Sequence, residues 1–162
     1  MRRKPLPGRR DMETVEAALA AHPFFQGMAP HHVAALAACG RPVQFKAGEF
    51  LCREAEEALN FYVIISGSVS VEIFSARRGP LTTTSVDEGE VLGWLWFEKP
   101  YHWHLDARAR QVTRTIALEV EALKTRCEAD HDLGYELMKR YAHYLAVQFR
   151  VTKLQLVDMY CV

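Results

Sequence analysis

Phe61-Tyr62-Val63-Ile64-Ile65-Ser66-Gly67-Ser68-Val69-Ser70-Val71 sets two runs of β-branched and aromatic residues on either side of a Ser-Gly-Ser joint. Such runs suit a pleated, half-buried strand, and Ser-Gly-Ser suits a tight turn. The stretch therefore predicts strands over residues 61–65 and 69–74, joined as a hairpin. Moving outward, the same texture recurs over residues 43–45, 50–53, 81–86, 103–109 and 112–118, with Arg77-Arg78-Gly79-Pro80 turning the next pair. Many short strands with turn signals between them predict a closed roll or sandwich, because closure removes exposed sheet edges.

Helical periodicity brackets this β-rich middle. Behind a candidate Asp11 cap, Met12, Val15, Ala18 and Leu19 recur at helical spacing until Pro23. Pro30 opens a second helix with Val33, Leu36 and Ala37 on one side and Gly40 as its expected stop. His31 and His32 fall in its first turn, where solvated side chains are expected. From Glu119 the helical period returns, first through Leu123 and Cys127, then in a long run over residues 132–160. A helix of that length spans about 40 Å, more than so small a domain can cover. Tyr144, Val147, Val151 and Leu154 step by three and four, a seam suited to a two-stranded coiled coil that makes a homodimer, interrupted by Asp158. The competing expectation is that this apolar stripe packs wholly on the roll. The chain thus divides into a basic mobile leader (1–10), a helical lead with β-roll sensor domain (11–131) and a C-terminal dimerisation helix (132–162).

Composition narrows the function. With 162 residues, 49% apolar and 25% charged, the chain holds one domain with a real core. Its 20 basic and 20 acidic residues cancel, which argues against general attraction to nucleic acid. The local exception is Arg2, Arg3, Lys4, Arg9 and Arg10, a solubilising leader able to touch anionic partners. No apolar run is long enough for a membrane span and the N-terminus lacks a signal-like apolar core, so the expected location is cytoplasmic. Cys39, Cys52, Cys127 and Cys161 have no metal-ligand rhythm and read as buried thiols. Glu54, Glu56 and Glu57 read as a solvated loop ahead of Leu59. No catalytic triad, nucleotide-phosphate loop or carboxylate pair stands out, so no enzyme is expected. His102 and His104, alternating along one predicted strand, resemble half a metal site, but further ligands at a convincing spacing are missing, and no metal or cofactor is assigned.

The order of helices, roll and long helix resembles the sensor domain of the Crp–Fnr family and related cyclic-nucleotide-binding proteins. Phe24-Phe25 through Leu36, Lys46-Ala47-Gly48-Glu49-Phe50-Leu51 and the opening stretch carry the likeness, which runs from about Pro23 to the C-terminus. It implies a mainly β fold with flanking helices, a jelly-roll-like double-stranded β-helix that binds cyclic nucleotides, followed by a long C-terminal helix. Gly89-Glu90-Val91-Leu92-Gly93-Trp94-Leu95-Trp96-Phe97, then Tyr101-His102-Trp103-His104-Leu105-Asp106-Ala107-Arg108-Ala109, resembles that family's phosphate-binding cassette. In the family a Gly-Glu-[Leu/Ile/Ala] segment opens a short helix whose N–H groups hold the phosphate. The Glu takes the ribose hydroxyl, and an Arg further along pairs with the phosphate. Here Gly93 stands, but Trp94 takes the Glu position. The Arg position falls at His104 counting forward from Gly93, or at Trp103 counting back from Ala107-Arg108-Ala109.

The ligand-contacting set implied by the likeness is Gly93, Trp94, Leu95, Trp96, Trp103 and His104. It lacks both the acid and the guanidinium. His102, His104, Lys99 or Arg108 are candidate substitute cations. Two readings follow: a pocket re-purposed for a planar or less charged small molecule in place of a cyclic nucleotide, or a cavity filled by its own tryptophans in a non-sensing interaction module. The family's transcription factors place a helix-turn-helix after the long helix. This chain stops at Val162, so no direct DNA binding is expected of it alone, whether as a stand-alone sensor or as part of a longer regulator.

Overall fold

The computed structural model describes residues 9–93 and 99–160. The lead comprises α1 (Arg9–Ala21), a 3₁₀ turn (Pro23–Phe25) and α2 (Pro30–Ala37). Eight strands follow: β1 (Gly40–Phe45), β2 (Phe50–Cys52), β3 (Asn60–Ser66), β4 (Ser68–Ser75), β5 (Gly79–Asp87), β6 (Val91–Leu92), β7 (Asp106–Ala109) and β8 (Thr113–Glu119). The chain ends in α3 (Val120–Ala129) and α4 (His131–Tyr160). Asp11 lies inside α1 and is therefore not its cap.

The strands form two four-stranded antiparallel sheets, β1-β8-β3-β6 and β2-β7-β4-β5, which face each other as a jelly roll. This corrects one expectation. β3 and β4 lie in different sheets, so Ser66-Gly67-Ser68 is a corner between sheets and not a hairpin. Gly67 makes that corner at φ 103°, where a Cβ would lie 2.6 Å from Thr113 Oγ1, so only glycine passes. The hairpin predicted at Arg77-Arg78-Gly79-Pro80 is present, with Ser75 paired to Gly79. Gly40 is likewise not a helix stop: α2 ends at Ala37, and Gly40 opens β1 tight against Leu118 and Val15.

Period-two alternation splits the core. Phe61 and Val63 of β3 and Ile116 and Leu118 of β8 face the helices, joining Leu19, Phe25 and Leu36 from the lead and Leu123, Leu133, Leu137 and Tyr141 from the C-terminal helices. Tyr62 and Ile64 of β3 and Ala117 of β8 face the roll's interior, with Leu51, Val69, Val71, Val86, Leu92 and Ala107. The long helix divides in the same spirit. Leu133, Leu137 and Tyr141 are buried and the Tyr144 hydroxyl donates to the Val91 carbonyl at 3.2 Å, whereas Phe149, Val151, Leu154 and Val157 are exposed. The stripe therefore does not pack wholly on the roll, and Tyr144, half-buried, belongs to the fold rather than to a free seam. Among the described residues no helix is long and apolar enough to cross a membrane.

Candidate functional site

The break between β6 and β7 is where the sequence places the site. Gly93 closes β6 at φ 110° and is buried; a Cβ there would meet Trp103 Cη2 at 2.9 Å and the Asn60 carbonyl at 3.2 Å. Glycine is thus required by conformation and by the tryptophan pressed against it. Trp94, Leu95 and Trp96 lie outside the described residues.

Trp103 is not part of a strand, contrary to the expectation from sequence, because β7 begins only at Asp106. Its backbone is instead tied to the loop before β3: its N–H donates to the Glu56 carbonyl and its carbonyl accepts from the Ala55 N–H, both at 2.8 Å. That anchoring swings the indole into the roll, where it is 4% exposed and stacks on Tyr62 at 6.5 Å between centroids and 27° between planes. Tyr62 in turn donates its hydroxyl to the Leu51 carbonyl at 3.1 Å, and burial pushes its phenol above the ordinary range. The interior is therefore packed by aromatic surface.

His104 and His102 stand exposed on either side of Trp103, outside any multi-residue strand, so the shared strand face that would have made them a metal pair does not exist. Neither belongs to a group of three close metal-ligating side chains among the described residues. Arg108 is also unavailable as a substitute cation. Ala107 and Ala109 face the interior, so Arg108 points to the opposite side of the sheet. There its Nη2 and Nε donate to Glu72 Oε1 at 2.8 and 3.2 Å, and Ser70 Oγ donates to the same oxygen at 2.8 Å. The guanidinium neutralises a buried carboxylate.

Beside the packed interior lies an open cavity of about 600 Å³ between the roll and α4. Gly93, Leu92, Val86, Val71 and Leu105 form the roll side; Tyr144, Leu145, Gln148, Phe149 and Thr152 form the helix side. No charged side chain lines it among the described residues. Burial, reinforced by the Glu90 charge, pushes the Tyr144 phenol up to about 12, so it stays a neutral donor at physiological pH. Gln148, Thr84 and Thr152 add uncharged polar groups to an otherwise apolar wall, the usual composition of a small-molecule cavity. The sequence reading missed this helix side. Its signal was there, since Tyr144, Gln148 and Thr152 follow at i, i+4, i+8, but Tyr144 had been placed on the coiled-coil seam.

The cyclic nucleotide-binding domain profile matches residues 42–130. An acetyltransferase, Pat, from Mycolicibacterium smegmatis is 35% identical over 81 residues, which are 50% of this chain and 24% of that protein; this chain thus corresponds to about a quarter of the relative's length. The sensor domain of the transcriptional regulator DNR from Pseudomonas aeruginosa is similar in structure, with a TM-score of 0.69 at 18% identity over 86% of this chain and 93% of that one. The regulatory subunit of a cAMP-independent protein kinase A from Trypanosoma cruzi, bound to guanosine, has a TM-score of 0.66 at 24% identity over 87% of this chain and 51% of that one.

Proposed function

This chain belongs to the cyclic nucleotide-binding domain family, and from that premise we propose that it is a non-catalytic regulatory domain of Crp–Fnr type with a degenerate phosphate-binding cassette. It takes an uncharged planar ligand, of the size and character of a purine nucleoside, between the roll and α4. The observation that carries this reading is the cavity itself: it is large enough for such a molecule, Gly93 lines it, and its described walls offer rings, hydroxyls and an amide but no charge.

The magnitudes point the same way. A charge-assisted hydrogen bond contributes about 1.5–3 kcal/mol, so losing both the acid and the guanidinium costs a cyclic nucleotide about 3–6 kcal/mol, or two to four decades of affinity. A neutral nucleoside forfeits neither. The kinase regulatory subunit, about half of which shares this fold and which is bound to guanosine, a ligand without phosphate, supports this choice.

A ligand in this cavity touches α4 directly, so occupancy biases the helix that leaves the roll. Val147, Val151 and Leu154 on its projecting half are 36%, 45% and 66% exposed and step at coiled-coil spacing, a surface matched by a second copy of the same helix. Thermal melting of the purified protein with guanosine, adenosine, cAMP and cGMP tests the reading. The expected result is stabilisation by a nucleoside and little or none by the cyclic nucleotides. A second reading has its own observation, the indole of Trp103 packed on Tyr62. If no compound shifts the melt, the roll is a self-filled scaffold and α4 its working surface.

A further inference from the structure

Far from the cavity, the structure overturns the expectation that both histidines of α2 are solvated. His31 is exposed, but the side chain of His32 is buried, with 7% of it accessible. Among the described residues neither ring nitrogen of His32 has a hydrogen-bond partner. Buried polar groups almost always find one, so this imidazole is unusual.

What faces it is a carboxylate. Asp130, between α3 and α4, uses Oδ1 to accept the N–H groups of Asp132 and Leu133, both at 3.1 Å, which caps α4. Its other oxygen, Oδ2, lies 3.4 Å from His32 Nε2. The ring of His31 comes within 4.1 Å of that of His32, centroid to centroid. One ligand atom from each of His31, His32 and Asp130 lies within 4.8 Å of the others, and no other such group occurs among the described residues.

We propose that His31, His32 and Asp130 bind a divalent transition metal of the Zn²⁺ class. Two imidazoles and one carboxylate form a ligand set that such ions favour, with water completing the shell. One separation suits it: ligand bonds of about 2.0–2.1 Å to a tetrahedral ion put neighbouring donors about 3.3 Å apart, close to the Nε2–Oδ2 spacing observed here, and the third donor lies within 4.8 Å. The ion would satisfy the His32 nitrogen and cross-link α2 to the start of α4 without disturbing the Asp130 cap, which uses the other oxygen. The proposal is independent of the cavity reading.

The test uses the metal alone on the intact protein. Zn²⁺ titrated into chelator-treated protein should bind one to one in calorimetry and raise the melting temperature. Co²⁺ should give the visible absorption of a tetrahedral site with nitrogen and oxygen ligands. His31→Ala removes an exposed side chain and Asp130→Asn keeps an acceptor for the cap, so both variants should fold while each loses about tenfold or more in affinity. Circular dichroism confirms the fold in each case. Wild-type protein that is folded yet takes up no metal overturns the proposal, as does uptake that neither substitution weakens.

Discussion

The roll interior and the cavity under α4 share a wall, since Val71, Val86 and Leu92 belong to both, yet they are built oppositely. The interior is closed by Trp103 stacked on Tyr62 and pinned through the backbone to the loop before β3. The cavity is open, uncharged where described, and bounded on its far side by a helix whose outer half is exposed among the described residues. Trp103 packs the one space as core, while the other stays open between the roll and α4. At Trp103, one of the two positions where the family resemblance implies an anchoring cation, this protein has packing, and the recognition proposed above lies toward the helix.

That contrast is sharpest in stability. Trp103→Ala should cost about 3–5 kcal/mol in urea unfolding, the range for truncating a large buried aromatic. A loss below about 1 kcal/mol would mean that the indole does not fill the roll. Next in size is the ion pair on the outer face of the second sheet. Arg108→Ala strands the buried Glu72 carboxylate and should cost about 1–2 kcal/mol, a value reduced for the guanidinium's exposure. Ligand affinity should be untouched, because Arg108 faces away from the cavity; a change in affinity would place it in the site after all.

A smaller effect depends on pH. His22 accepts the Phe24 N–H through Nδ1 and meets the Ile64 carbonyl through Nε2 at 3.2 Å, and its burial holds the ring below the ordinary imidazole range. The unfolded chain therefore binds a proton that the native protein resists. Stability from this group is complete above about pH 6.5 and is lost as pH falls from there toward the depressed native value, with a slope of at most about 1.4 kcal/mol per pH unit. His22→Asn keeps a cap acceptor and should flatten that slope over pH 5–7 in denaturant titrations; an unchanged slope assigns it to another group. Smallest of all in stability is the cavity itself. Phe149→Ala, at an exposed position, should change unfolding by about 0.5 kcal/mol or less while weakening whichever nucleoside stabilises the wild type.

Much of the architecture could be read from residue patterns. The β-branched and aromatic run at Phe61-Tyr62-Val63-Ile64 marked β3, and the period after Glu119 located both C-terminal helices. The sheet switch at Gly67 was illegible because Ser-Gly-Ser is equally apt for a hairpin and for a corner. Only the pairing of β3 with β8 and of β4 with β7 decides which it is. Trp103 looked like strand because aromatic composition favours strands, but hydrogen bonds to Ala55 and Glu56, set by tertiary approach, hold it in a loop. His32 was expected in solvent for a similar reason. Its partner Asp130 is distant in sequence, and nothing local announces that α3 and α4 will meet over α2. Gly93 and Trp103 are named by position within a resemblance, and of the two only Gly93 lines the cavity, whereas Leu105, Tyr144, Gln148 and Phe149 require the helix to be seen against the roll.

The most direct test of the central claim, that the charged grip on a sugar phosphate is gone, is a calorimetric titration of the intact protein with cAMP. The account predicts a Kd weaker than about 100 µM, and a gain of about tenfold or more when Trp94→Glu and Trp103→Arg are introduced together. Wild-type binding at about 1 µM or tighter would contradict it.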